Sequence, residues 1–278
     1  MRISVVVPFF NSEEYIERCT RALLDQDYPD DCYEILMVDN NSTDRSAGLV
    51  AKHPRVRLLK EPRQSSYAAR NRGIRSAEGE VIAFTDSDCQ VHTRWLAAIA
   101  RDMRHPGRRI VLGKREYVSL SKGLGLLSDY ESAMAAYVFG SRRKEIYFGY
   151  TNNMAVRSSL FDELGSFRVI GRGADTLFVR RAVEVFGCGA VGYEPDMIVR
   201  HLEIAGVLSF FRKRTIYGRS NEENRRFGSA RPLSQKERLR IFRHVIRDGC
   251  YPCTKACLLL ALLSVGLLFY QYGRVQAR

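Results

Sequence analysis

Little in this chain would build a secreted or disulfide-stapled protein. It starts with Met1-Arg2 and runs straight into residues 3–7 and Pro8. That apolar stretch is too short for a signal-peptide core and has no small-residue cleavage site, so the folded part is expected on the cytoplasmic side. The seven cysteines are odd in number and scattered, which fits a reducing compartment rather than a disulfide framework. Pro8-Phe9-Phe10-Asn11 stands where a phosphate-loop protein would carry glycines and a Lys or Arg. This argues against a nucleotidyltransferase built on such a loop. The chain also has no internal repeat, no low-complexity linker and no recognisable DNA- or RNA-binding motif.

What is present is an ordinary globular composition, 45% apolar and 27% charged, with its charge unevenly placed. Of the net +13, +11 lies after residue 204, where fifteen Lys or Arg face four Asp or Glu. Such asymmetry suggests a polyanionic neighbour, either nucleic acid or an anionic membrane surface. The first hundred residues alternate short β-branched runs (3–7, 34–38, 56–59, 81–84) with helical spacing, including a helix over 66–77. Asn11 or Ser12 is expected to cap the first helix. The pattern predicts an α/β layer with a mainly parallel sheet flanked by helices, whose ligands bind at the carboxyl ends of strands. Further on, 124–139 and 176–186 read as helices and 150–156 as extended. Ser234-x-x-Glu237 is a capping box opening a helix to about 247, with Leu239, Phe242, Val245 and Ile246 as its apolar stripe.

Chemistry is concentrated at the strand ends. Asp86-Ser87-Asp88 follows the fourth strand, and two carboxylates at that spacing can share a hard divalent cation that bridges a diphosphate. Alone, the pair reads more readily as two solvated turn residues. Asp39, closing the second strand before Asn40-Asn41-Ser42-Thr43-Asp44, can accept from a base or ribose, or simply make an Asx turn. Arg70, in Ala69-Arg70-Asn71-Arg72-Gly73, can reach phosphate or base, or be a surface arginine.

Val6-Val7-Pro8-Phe9-Phe10-Asn11, the Asp39–Asp44 run, the Arg70 run and Asp86-Ser87-Asp88 occur in the order and at the spacing of the family-2 glycosyltransferases. The sequence resembles that family over about its first 105 residues, and more loosely to His201. The resemblance implies a GT-A, Rossmann-type fold, a nucleotide-diphosphate sugar donor (usually a UDP-sugar), a divalent metal (Mn²⁺ or Mg²⁺) and inversion at the anomeric carbon. It implies that Pro8 and Asn11 line the nucleotide pocket, Asp39 meets the base and Arg70 flanks the uridine. Asp86 and Asp88 would hold ribose and metal, and His201 would sit near the metal or diphosphate. Asn153 and Arg157, in Asn152-Asn153-Met154-Ala155-Val156-Arg157, fall on the acceptor side. Asp175 matches the aspartate that deprotonates the acceptor hydroxyl. Ala174 replaces a usual Glu, and Leu177 stands where many members have Asp.

The resulting organisation is a catalytic region 1–205, with a nucleotide-sugar half (1–105) and an acceptor half (106–205). A basic helical region 206–278 follows, with an apolar run at 256–272. That run is seventeen residues, about 25 Å as a helix, against roughly 30 Å of hydrocarbon. Flanked by Lys255, Tyr270, Tyr272 and Arg274, it favours attachment at the cytoplasmic membrane face, and a lipid-linked or polysaccharide acceptor. Nucleic acid is the less favoured partner. Cys250, Cys253 and Cys257 have thiol spacing but no evident fourth ligand. A nucleotidyltransferase and a non-catalytic binding module remain as alternatives.

Overall fold

Each β-branched run between polar turns becomes a strand, and the computed structural model describes residues 1–117, 121–223 and 231–277. The strands are β1 (Ile3–Phe9), β2 (Tyr33–Asp39), β3 (Val56–Lys60), β4 (Val81–Thr85), β5 (Cys89–Val91), β6 (Ile110–Tyr117), β7 (Asn153–Arg157) and β8 (Val191–His201). They form one sheet in the order β3-β2-β1-β4-β7-β6-β8-β5. The β1–β2, β1–β4, β2–β3 and β6–β8 pairs are parallel, while β7 and β5 run antiparallel to their neighbours. The expected mixed, mainly parallel sheet is therefore present.

Helices α1 (Ile16–Leu24), α2 (Ser46–Val50), α3 (Ser66–Ser76), α4 (Trp95–Asp102), α5 (Lys122–Gly140), α6 (Ser159–Leu164) and α7 (Ala174–Phe186) accompany the sheet. Two apolar clusters form, one centred on Val6, Phe84, Met154 and Phe178 and the other on Val5, Ile35, Trp95 and Val111. Alternate residues of β1, Val5 and Val6, enter different clusters, as a strand covered on both faces requires. Helix α3 lies tightly on β1, because a Cβ at Gly73 would come within 2.3 Å of Val6 Cγ1.

The sheet opens at a defined place. β1 and β4 pair only from Ile3↔Val81 to Val6↔Phe84, whereas β1 and β2 stay paired to Phe9↔Asp39. Pro8, which has no N–H to donate, lies beyond the last residue paired with β4. The crevice between the ends of β1 and β4 is the switch point at which open α/β sheets receive ligands.

From residue 206 the chain forms α8 (Val207–Glu223), α9 (Gln235–Asp248) and α10 (Cys253–Val275). The capping box of α9 is formed as expected, Ser234 accepting from Glu237 N and Glu237 from Ser234 N. Its apolar face differs from the expected stripe. Ile241 and Val245 are buried against Leu126 and Tyr130 of α5, while Leu239 is exposed. The helices after residue 206 thus pack on the sheet domain through α5.

Three local expectations are corrected. Neither Asn11 nor Ser12 caps α1 with its side chain; the N-cap is Tyr15, without a side-chain bond. Asn11 instead accepts from Thr43 N at 2.8 Å, tying the β1 loop to the β2 loop. Asn153 does not face an acceptor. It is fully buried, accepting from Trp95 Nε1 at 2.9 Å and donating to the carbonyls of Lys114 and Met197, each at 2.8 Å. Arg157 is at the wrong end of the sheet, because β7 runs antiparallel to β4 and sets Arg157 opposite Val81. Its guanidinium donates to the carbonyls of Arg108 and Met103.

Asn153 therefore joins β7, β6, β8 and α4 at one buried amide. Asn153→Ala would leave the Trp95 N–H and two carbonyls unpaired, each costing about 1–3 kcal/mol. We expect a fall in Tm of several degrees in a thermal melt. A melt unchanged within error would contradict this role.

Candidate active site

Three asparagines shape the loops at the crevice. Asn40, buried after β2, donates to the carbonyls of Glu61 and Arg63 and accepts from Ser65 N, each at 2.8 Å. Ser65 caps α3, so this amide fixes the start of the helix that carries Arg70. Asn11 and Asn41 take positive φ (46° and 69°), which asparagine tolerates better than most residues. Asp39 is buried at the end of β2 and accepts from Ser42 N, three residues on, at 2.9 Å, which closes the same loop.

Arg70 is buried under its own helix, and its Nη2 lies 2.5 Å from Asp86 Oδ1. Its Nε is also buried and has no hydrogen-bond partner among the described residues, leaving a donor for a ligand. The Tyr67 ring lies 5.3 Å from the guanidinium.

Asp88 is drawn together with His201 by register. β5 pairs antiparallel with β8 so that Cys89 faces His201, which brings His201 Nδ1 to 3.4 Å from Asp88 Oδ2. Burial, reinforced by the adjacent Asp86 charge and a hydrogen bond to Glu203, raises the Asp88 carboxyl to about 7. Burial, with the nearby Lys213 charge, lowers His201 to about 4, so its imidazole is neutral near pH 7. Its Nδ1 is buried and makes no hydrogen bond among the described residues.

These residues fit a divalent cation. A carboxylate oxygen and a neutral, unpartnered imidazole nitrogen are donors that suit Mn²⁺ and related ions. Cys89 Sγ completes a group of potential ligand atoms lying within 4.8 Å of one another. It is a poor ligand, because burial pushes its thiol well up and the thiol donates to Asp88 Oδ1 at 3.5 Å. Cys250, Cys253 and Cys257 are exposed and free, away from this cluster.

Asp175 is the second residue of α7, whose N-cap is Gly173 at φ 86°, a conformation that favours glycine. It accepts from Thr176 N at 2.8 Å and Thr151 N at 3.2 Å. Burial raises its pKa, against the lowering effect of Thr176 N–H, Arg70, Thr151 N–H and Tyr67. Arg70 thus couples electrostatically to both Asp86 and Asp175.

Pro8, Asn11, Asp39, Arg70, Asp86, Asp88, His201 and Asp175 therefore sit at one edge of the sheet and the adjoining helix ends, while Asn153 and Arg157 do not take part. Sequence reasoning missed Lys213, on α8, and Glu203. Lys213 Nζ lies 2.7 Å from Glu203, 3.5 Å from His201 Nε2 and 3.9 Å from Asp88. The lysine stood among many basic residues of a segment read as a membrane anchor, and nothing in its spacing singled it out.

Comparison with known proteins identifies the family and the fold. Residues 4–177 match the profile of glycosyl transferase family 2. The chain is 30% identical over 188 residues to glycosyltransferase AglE of Haloferax volcanii, covering 66% of this chain and 61% of that one. It is 35% identical over 112 residues to the poly(ribitol-phosphate) beta-N-acetylglucosaminyltransferase TarS of Staphylococcus aureus, covering 38% of this chain and 20% of TarS. It thus spans less than two thirds of either relative. Among solved structures, the mannosyltransferase PcManGT of Pyrobaculum calidifontis, in complex with GDP-Man and Mn²⁺, is similar with a TM-score of 0.62 at 19% identity. That match covers 99% of this chain and 83% of PcManGT. Residues 1–349 of S. aureus TarS, in complex with UDP-GlcNAc, give 0.56 at 17% identity, over 99% of this chain and 91% of that one. The chain belongs to glycosyl transferase family 2, and its fold is GT-A-like.

The Asp88 shift has a measurable consequence. A proton on Asp88 competes with a metal ion, and the raised pKa places that competition near neutrality. In calorimetric titrations, Mn²⁺ affinity should rise about tenfold per pH unit below about 7 and level off above it. His201, neutral above about 4, adds no slope in that window. Affinity that is flat from pH 5.5 to 8, or unchanged in Asp88→Asn, would contradict the assignment.

Proposed function

We propose that this protein transfers a sugar from a nucleotide-diphosphate sugar, a UDP-sugar, to a glycan or lipid-linked acceptor, inverting the anomeric carbon. The observation that carries this reading is that two separate carboxylate centres, Asp86 with Asp88 and Asp175, share one buried arginine, Arg70. A single displacement needs that division. One centre handles the departing diphosphate, and the other takes a proton on the opposite face of the sugar.

Asp39 and Asn11 form the nucleotide end of the crevice, and Pro8 keeps it open beside β1. Asp88 and His201 would hold a divalent cation, with Asp86 beside them, and the bound cation supplies charge stabilisation to the leaving diphosphate. Arg70, with its unpaired Nε, offers a positive charge in the same place. Asp175 accepts the acceptor hydroxyl proton as the new C–O bond forms and the old bond to phosphate breaks, releasing the nucleoside diphosphate. Its raised pKa makes it a stronger base, while the α7 amino end and the Thr151 and Thr176 N–H groups hold it in place. UDP-GlcNAc in TarS and GDP-Man in PcManGT are donors of this chemical class.

The C-terminal helices support a position at the cytoplasmic membrane face. α10 has 23 residues, about 35 Å, and is long and apolar enough to cross a membrane. Only 11% of its most apolar window is buried, and Leu258, Leu260, Val265, Leu268 and Tyr272 are exposed. Its other side is occupied. Gly266 meets Phe211, Gly273 meets Thr215 and Gln276 meets Arg219, so α10 runs beside α8 in the same direction. Arg274 pairs with Glu222 at 2.7 Å. A spanning α10 would carry this charged companion into hydrocarbon, which is costly. We therefore place α10 along the membrane surface, with its free apolar face in the lipid and the basic α9 near the headgroups.

Two outcomes follow. Asp175→Asn should leave donor affinity nearly unchanged and lower transfer at least about a hundredfold, measured with a panel of sugar nucleotides and Mn²⁺; near-normal transfer would place the base elsewhere. A tag after Arg278, in sealed vesicles carrying the full chain, should be accessible from the same side as the catalytic domain. High salt should not release the protein, but detergent should. A tag protected on the opposite side would establish a spanning helix.

A further inference from the structure

We propose that Lys213 holds the donor's diphosphate, and that before donor and metal arrive its ammonium pairs with Glu203 and lies beside Asp88 and His201. The inference rests on the donor reading above and adds a residue to it. Lys213 comes from α8, outside residues 4–177 that match the family profile. Its side chain is mostly buried and touches three members of the cluster: Glu203, His201 and Asp88.

The charges around it leave little choice. Arg70 is committed to Asp86, so Asp88 and Glu203 have Lys213 as their nearest cation among the described residues. Asp88 and His201 are the donors that fit a divalent ion, and Lys213 Nζ is within 4 Å of both. A divalent ion and an ammonium so close repel each other strongly unless an anion lies between them. The anion that belongs there is a diphosphate, several-fold negative and acceptor-only, and Lys213 is long enough to swing to it while keeping Glu203. One lysine thereby serves two states. It weakens metal binding when no donor is present, and it strengthens diphosphate binding once the metal is in place.

The test compares wild type with Lys213→Met and Lys213→Arg as full-length protein in detergent. Mn²⁺ affinity without nucleotide is read by electron paramagnetic resonance. Affinity for UDP, GDP and UMP with Mn²⁺ is read by calorimetry. The expected result for Lys213→Met has opposite signs: Mn²⁺ binding about tenfold tighter, and nucleoside diphosphate binding at least tenfold weaker. The loss for UMP should be smaller, and Lys213→Arg should recover most of the diphosphate affinity. If both affinities fall together, Lys213 is only structural and the proposal is overturned; unchanged affinities overturn it as well. Wild type that binds neither UDP nor GDP would overturn the donor reading itself, and this proposal with it.

Discussion

The structure is organised around negative charge held where water cannot fully solvate it. Asp86 and Asp88 follow β4, with the exposed Glu203 beside them after β8, and burial raises Asp88 to about 7. Isolated, such carboxylates would be expensive to bury. Each neighbouring element supplies something that offsets them: α3 brings Arg70, β8 brings a neutral imidazole and α8 brings Lys213. Removing one of these leaves a buried charge without its partner, which generally costs more than the pair itself contributes.

Keeping those groups in register takes a rigid frame, and buried amides provide much of it. Asn40 holds the start of α3, and Asn153 joins three strands to Trp95. Asn71 exchanges two hydrogen bonds with the Phe167 backbone, and Tyr67 accepts from Gly173 N. These last contacts tie α3 to the segment that presents Asp175. The C-terminal helices belong to the same frame. The α8 that carries Lys213 meets α10 through backbone contacts so close that a Cβ at Gly218 would fall 2.0 Å from the Tyr270 carbonyl. The element that reaches the reaction centre is therefore packed directly on the element we place in the membrane.

Much of this was legible from periodicity and from residue types at strand ends. β1, β2, β4, α3, α5 and α7 appear within a few residues of where alternation and helical spacing put them. Asp39, Asp86 and Asp88 follow strands, as their context implied. The failures have physical causes. Asn153 and Arg157 were assigned by their place in a motif, but the antiparallel run of β7 sends Arg157 to the far end of the sheet, and the pleat turns Asn153 into the core. Asn11 looked like a helix cap because the preference is local, whereas its actual partner, Thr43, lies 32 positions away. Lys213 could not be distinguished from the other cations of its segment, since only the packing of α8 brings it to Asp88. Family membership rests on residues 4–177, which exclude it.

The central claim is that Asp88 and His201 form one divalent-cation site that faces a nucleoside diphosphate. Anomalous diffraction from crystals soaked with Mn²⁺ and UDP addresses it directly. The account predicts a single manganese peak within bonding distance of an Asp88 oxygen and a His201 ring nitrogen, in contact with diphosphate density beside Arg70. Manganese bound elsewhere, or diphosphate density at this edge with no metal between it and Asp88, would contradict it.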